Sequence, residues 1–282
     1  MKIVDKVYLN SLSVDEKIQL AKEPQTSASK LSLLAKEKEW EIRIKVAENP
    51  NTPVNTLWML TGATEWFVRA AVARNLRASF DMLDKLAGDE VLEIHAIVAQ
   101  NPNTTPSVLE KLAGESAWIT RARVAQNPNT PAGALQALAN DGDEEVRRSL
   151  AKNPKIPTYV LQTLTGDMHV EVLDEVIENS RVTQELLQSI YKKLVNGDNI
   201  NEYFVFRLLS HNLHLEETEL AAIVAVYGKG IADTISRSGQ VTKNSTLDRQ
   251  LLRLGITSIY QNSRNLKSER CHMIKNSRDH SG

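Results

Sequence analysis

The sequence predicts an all-α solenoid, a helix–turn–helix unit of 26 residues stacked into a curved rod. Three observations predict it. Asn49, Asn75, Asn101, Asn127, Asn153 and Asn179 stand at identical 26-residue steps. The string around them is nearly constant, as in Val46-Ala47-Glu48-Asn49-Pro50-Asn51-Thr52-Pro53 and Val124-Ala125-Gln126-Asn127-Pro128-Asn129-Thr130-Pro131. Between these strings lie two short apolar segments with helical periodicity, too small to bury their own stripes and therefore obliged to pack on their neighbours.

Each unit opens with helix A, which in the second unit runs from about Glu39 to Glu48 and carries Ile42, Val46 and Ala47. Asn-Pro ends it, because a residue before proline is driven out of the α region. Thr52 then reads as an N-cap with Pro53 at the first helical position of helix B. Helix B carries Leu57 and Leu60, and Gly62 closes it at the C′ position, an ending repeated as Leu86-Ala87-Gly88, Leu112-Ala113-Gly114 and Leu164-Thr165-Gly166. The asparagine column is structural in this reading: side chains bridging backbone groups between successive turns.

The chain divides into an N-terminal cap (1–13), seven regular repeats (14–192), degenerate C-terminal repeats that cap the array (193–261) and a disordered polar tail (262–282). Stepping back from Asn49 lands on Glu23, and an insertion at 193–199 shifts the phase, which is regained at Leu209-Ser210-His211-Asn212 and Ile235-Ser236-Arg237-Ser238. The formal net charge of -1 gives no global field favouring nucleic acid or anionic membrane. A single cysteine, Cys271, excludes an intramolecular disulfide framework and any cysteine-rich metal site. No segment approaches the ~20 apolar residues that cross a bilayer, and no signal-peptide core opens the chain, so a cytoplasmic protein is expected.

Val146-Arg147, Leu150-Ala151-Lys152-Asn153-Pro154 and the strings above carry a resemblance to a family. They resemble the bacterial leucine-rich repeat variant, a relative of HEAT and armadillo arrays, over roughly residues 14–192. The resemblance implies alternating α- and short, α or 3₁₀, helices in a right-handed superhelix. One branch of that family carries an N-terminal iron–sulfur cluster; this chain has no cysteine before Cys271.

Two sets of residues compete as binding sites. One is a basic column, Arg43, Arg69, His95, Arg121 and Arg147, with Trp40, Trp66 and Trp118 three residues before three of its members. Cations interleaved with aromatics can track a phosphate backbone. At about 100° per residue, however, Arg43 falls inside the arc bounded by Ile42 and Ala47. This argues for an arginine ladder between units, bonded to carbonyls or to acids such as Asp89, Glu115 and Asp141, with the tryptophans mostly in the core. The other set is an apolar patch on helix B. Val54 and Phe80 stand in a column otherwise filled by Ala28, Pro106, Ala132 and Thr158. Trp58 stands in a column of Ser32, Asp84, Glu110, Gln136 and Gln162, with Met59 beside it. Arg123, Arg148 and Lys152 form a weaker basic patch that suits a solvated face.

Catalytic constellations are missing from the sequence. It has no nucleophile elbow, Walker-type loop or His-Glu-x-x-His. Gly228-Lys229-Gly230 is too short to cradle a phosphate, His211 and His214 lack further ligands, and Cys271-His272 sits in the polar tail. The sequence favours a non-enzymatic scaffold with another protein or peptide as partner, no membrane contact, no cofactor and no metal. The alternative is a HEAT-like nucleic-acid module, DNA-glycosylase-like by analogy, acting through the arginine column.

Overall fold

The computed structural model describes residues 2–196 and, beyond them, 205, 207–209, 215–216, 219–220 and 223–224. The expected capping repeats at 193–261 and the tail at 262–282 lie, but for those few positions, outside the described residues. So do His211, His214, the Gly228-Lys229-Gly230 segment and Cys271-His272.

All elements among the described residues are α-helices. Helix α1 (Lys2–Asn10) precedes seven pairs. These are α2 (Val14–Lys22) with α3 (Ala28–Leu34), α4 (Trp40–Glu48) with α5 (Val54–Leu60), and α6 (Trp66–Arg74) with α7 (Phe80–Leu86). Then come α8 (Leu92–Gln100) with α9 (Pro106–Leu112), α10 (Trp118–Gln126) with α11 (Ala132–Leu138), α12 (Glu144–Ala151) with α13 (Thr158–Leu164), and α14 (Val170–Glu178) with α15 (Gln184–Asn196). The even-numbered helices are the A helices. The seven-residue B helices are α-helical, so the 3₁₀ alternative is not what this chain adopts.

The pairs fall into two compact units, described separately. The first holds Met1–Leu164 with Asn179–Arg181; the second holds Thr165–Glu178 and the described residues from Val182 onward. In the first unit each A helix packs against the A helices before and after it and against its own B helix. Successive B helices stand farther apart, so this row of pairs closes toward its A side. The core is the repeated stripe: Ile42, Val46 and Ala47 with Leu57 and Leu60, then Val68, Val72 and Ala73 with Leu83 and Leu86. Helix α1 packs on α3 and buries Leu9. In the second unit Val172, Val176 and Ile177 of α14 and Leu186, Leu187, Ile190 and Tyr191 of α15 are buried.

The asparagine column closes the A helices. Each side-chain amide donates two hydrogen bonds to the helix end of the preceding pair: Asn49 to the carbonyls of Ala21 (2.8 Å) and Glu23 (2.9 Å), Asn101 to Ala73 (2.7 Å) and Asn75 (3.2 Å), and Asn127 to Ala99 (2.7 Å) and Asn101 (3.1 Å). Asn75, Asn153 and Asn179 do the same. Meanwhile each Oδ1 accepts from the backbone N–H two residues on, as Asn101 does from Asn103 (2.9 Å). Such a turn competes with helical continuation. Asn75 shows that it suffices without proline. Leu76 follows it, yet its φ of -68° and ψ of 128° match those of Asn49 and Asn101.

The junction between the two helices differs from the sequence expectation. Thr52 is not an N-cap and Pro53 is not at the first helical position; Pro53 itself occupies the cap, and α5 starts at Val54. The buried Thr52 hydroxyl turns back and donates to the Val46 carbonyl at 2.5 Å, and Thr104 and Thr130 do likewise to Val98 and Val124. An orphan carbonyl at the end of helix A is a stronger claim on that hydroxyl than an amide at the start of helix B. Where a second threonine is present the two tasks separate, and Thr105 caps α9 with Pro106 at its first position. The helix-B glycines also differ: Gly62, Gly88 and Gly114 do not take the positive φ of a left-handed cap, and an added Cβ would meet only a carbonyl oxygen at 3.6–3.7 Å.

Two outcomes follow from this geometry. Asn101→Ala leaves the Ala73 carbonyl without its amide donor and costs about 1–3 kcal/mol in urea unfolding of the full chain. Asn101→Asp costs at least as much at neutral pH, because an acceptor then faces two acceptors. By contrast, Gly88→Ala leaves stability unchanged or raises it by about 0.4–1 kcal/mol, the reverse of what a left-handed glycine gives.

Candidate functional site

At the opposite end of each A helix lies the basic column. Arg69 donates through Nε and Nη2 to both carboxylate oxygens of Asp89 (2.7 and 2.8 Å), and through Nη1 to the carbonyls of Ala63 and Thr64 (2.8 and 2.9 Å). Arg121 repeats the pattern with Asp141 (2.6 and 2.9 Å) and the carbonyls of Glu115 and Ser116. Arg43 uses Glu65 (2.6 Å) and the carbonyls of Glu37 and Lys38. Arg147 donates to the Asp141 carbonyl at 2.7 Å. His95 takes the same place in its pair, with Nε2 donating to the Asp89 carbonyl (2.8 Å) and Nδ1 3.5 Å from a Glu115 oxygen. Each arginine thus pins the loop that leads into its own helix, and Arg43, Arg69 and Arg121 also hold an acid of the next pair. Fork geometry makes arginine the residue for this bridge.

Electrostatics follow the contacts. Hydrogen bonds from Arg69 hold the Asp89 carboxyl below the usual range against the effect of its burial. Burial pushes Asp141 up, but the bonds from Arg121 and the Asp143 amide, with the charges of Arg121 and Arg147, outweigh it and leave the carboxyl low. The guanidiniums of Arg69 and Arg121 are correspondingly raised.

The apolar patch is open to solvent. Val54, Trp58, Met59 and Phe80 are 42%, 47%, 43% and 60% exposed on the successive helices α5 and α7. Lys85 of α7 sets its ammonium 5.5 Å from the Trp58 ring centroid and donates to the Thr61 hydroxyl at 2.9 Å, which ties the two B helices together across the patch. Arg123 is exposed, Lys152 is exposed, and Arg148 is half-buried beside Glu145.

A second surface was missed in the sequence. Trp40, Trp66 and Trp118, expected in the core, are 42–44% exposed. Each is the first residue of its helix, and a helical Cβ tilts toward the N-terminus, which carries the indole past the ends of the neighbouring helices. Trp40 lies against Phe67 at 4.6 Å between ring centroids. Between α6, α8 and α10 the A face holds a groove of about 400 Å³, lined by Trp66, Leu92, Ala96, Ile97 and Ile119 with Arg74 and Glu93. The signal was present in one column: Phe67 and Ile119 stand where Glu41, Glu93 and Glu145 do. Among the described residues no group of three or more His, Cys, Asp or Glu could hold a metal ion, and no helix is long and apolar enough to cross a membrane.

No protein-family model and no curated protein matches the chain. A solved structure described as a leucine-rich repeat variant with a novel repetitive structural motif is similar over 74% of this chain and 81% of its own, with a TM-score of 0.53 and 20% sequence identity. This chain has the leucine-rich repeat variant fold. At that identity the likeness is one of backbone, so the surfaces of the present array have to be argued from its own residues.

The ladder makes the array sensitive to acid. Asp89 is depressed in the folded state, so its contribution is present above the unfolded carboxylate value of about 3.9 and is lost as pH falls through the lower folded value. Asp89→Asn is therefore less stable than the parent by about 1–3 kcal/mol at pH 7, and the difference shrinks below about pH 4. Urea unfolding of the two proteins at about pH 7 and about pH 3 checks this.

Proposed function

We propose that the chain is a non-enzymatic helical-repeat scaffold that binds another protein along its surface. The observation that carries this reading is the patch of Val54, Trp58, Met59 and Phe80. Val54, Trp58 and Phe80 sit in columns that other pairs fill with small or polar residues, so the repeat itself does not require them. The arginines, by contrast, spend their donors inside the stack, on carbonyls and carboxylates. Aromatic anchors in an open apolar patch are the residue types that dominate binding energy between proteins.

The test is a paired substitution, Trp58→Ala with Phe80→Ala, in the full chain. Both side chains are about half exposed, so the unfolding free energy from urea titration falls by only about 1–3 kcal/mol and the array stays folded. Capture of the native partner, measured by affinity purification and mass spectrometry, falls by roughly tenfold or more, as expected for a lost hot spot of about 2 kcal/mol. Unchanged capture removes the patch from the reading.

A further inference from the structure

We infer that the A face of α6, α8 and α10 holds an extended polypeptide segment of the partner, apolar along one edge and acidic along the other. The inference rests on the scaffold reading and names the partner's chemistry and its seat.

Shape selects an elongated occupant. The row of pairs in the first unit closes toward its A side, and the groove crosses three helices in succession. With neighbouring axes about 8–10 Å apart, three residues of extended chain at about 3.3 Å each advance by one helix. The groove's volume of about 400 Å³ is spread over about 20 Å of travel. An extended chain, narrow in one direction at about 4.8 Å, follows such an elongated groove more closely than a helix about 10 Å across.

Charge then orients the segment. The N-terminal side of the groove is apolar, with Trp66, Leu92 and Ile119 in successive helices and Trp118 beside Ile119. Toward the C-terminal ends of the same helices stand Arg74, which lines the groove, and Arg123, one turn beyond Ile119. Both are exposed, and neither makes an ion pair among the described residues. Gln100 and Gln126, also exposed, end α8 and α10 on that side and offer amides to a bound backbone. The groove's one carboxylate, Glu93, belongs to the N-terminal side, about 10 Å along the helix axis from the level of Arg74 and Gln100. Carboxylates of the segment therefore lie on the arginine edge and its apolar side chains on the tryptophan edge.

The test uses defined probes on the full chain. A fluorescently labelled peptide of about twelve residues, Leu-Glu repeated so that the extended chain has one apolar and one acidic edge, is compared by anisotropy with its Leu-Lys and Ser-Glu counterparts and with oligothymidylate of similar length. The acidic, leucine-bearing peptide binds saturably and about tenfold or more tighter than the other three. Arg74→Glu with Arg123→Glu weakens it by about tenfold, as does Ile119→Asp, while the urea midpoint of the arginine variant is unchanged and Trp58→Ala with Phe80→Ala has no effect. Equal or tighter binding of the basic peptide or the oligonucleotide overturns the inference, as does acidic-peptide binding indifferent to the arginine substitutions. No saturable binding also overturns it. In that case, partner capture that is lost on Trp58→Ala with Phe80→Ala but kept on Arg74→Glu with Arg123→Glu leaves the scaffold reading standing.

Discussion

The structure depends on one recurring arrangement: the amide of an asparagine closing the C-terminal carbonyls of the A helix before it. A helix ends with carbonyls that have no partner inside it, and in a stack of helices those ends are buried. The solution here is to let the next pair supply the donor. The carbonyls that accept are those of Ala21, Ala47, Ala73, Ala99, Ala125 and Ala151. Of the two carbonyls each amide meets, the one inside the helix end always belongs to alanine, and this is a packing statement. These alanines are fully buried, and only a methyl group lets the following helix come close enough for its asparagine to reach. Period, helix length and the Ala and Asn columns are thus one constraint seen from four sides.

The arginine ladder performs the matching task at the other end of the same helices. Arg43, Arg69 and Arg121 each reach the carbonyls of their own entry loop and an acid of the following pair. The A row is consequently fixed at both ends by polar bridges and in the middle by apolar contact. Recurrent polar residues are consumed by this work. What remains chemically unassigned is the outward face of each helix, where the columns vary from pair to pair.

The fold was legible because its punctuation is periodic. The asparagine step, the buried stripe and the helix-B leucines could be read from one line of sequence. Three local features could not. Thr52-Pro53 has the composition of a helix start, and only the position of the Val46 carbonyl shows that the hydroxyl serves the preceding helix. Gly62 has the position of a left-handed cap but an ordinary backbone. Trp40, Trp66 and Trp118 fall at the border of the apolar arc by angle, yet an angle about the helix axis says nothing of depth along it. At the first residue of a helix the side chain overhangs the end of the packed layer. The patch at Val54, Trp58, Met59 and Phe80 was visible because it breaks a column; the groove beside Ile119 was hidden because its tryptophans recur and so looked structural.

Recurrence is therefore a test of duty, provided it is paired with contact. A side chain that recurs and is bonded across pairs, as Asn101 or Arg69 is, serves the stack. One that breaks its column and stays open, as Trp58 and Ile119 do, does not. The first-position tryptophans fall between these classes: they recur in three of the A helices but are half open in each, and Glu144 takes their place in α12. A ring that were needed to hold the row together could not be exchanged for a carboxylate in the next pair, so the array stands without it. The tryptophan edge stays outside this bonding because the asparagine bridges, with the arginine bridges of α4, α6 and α10, already hold the stack together.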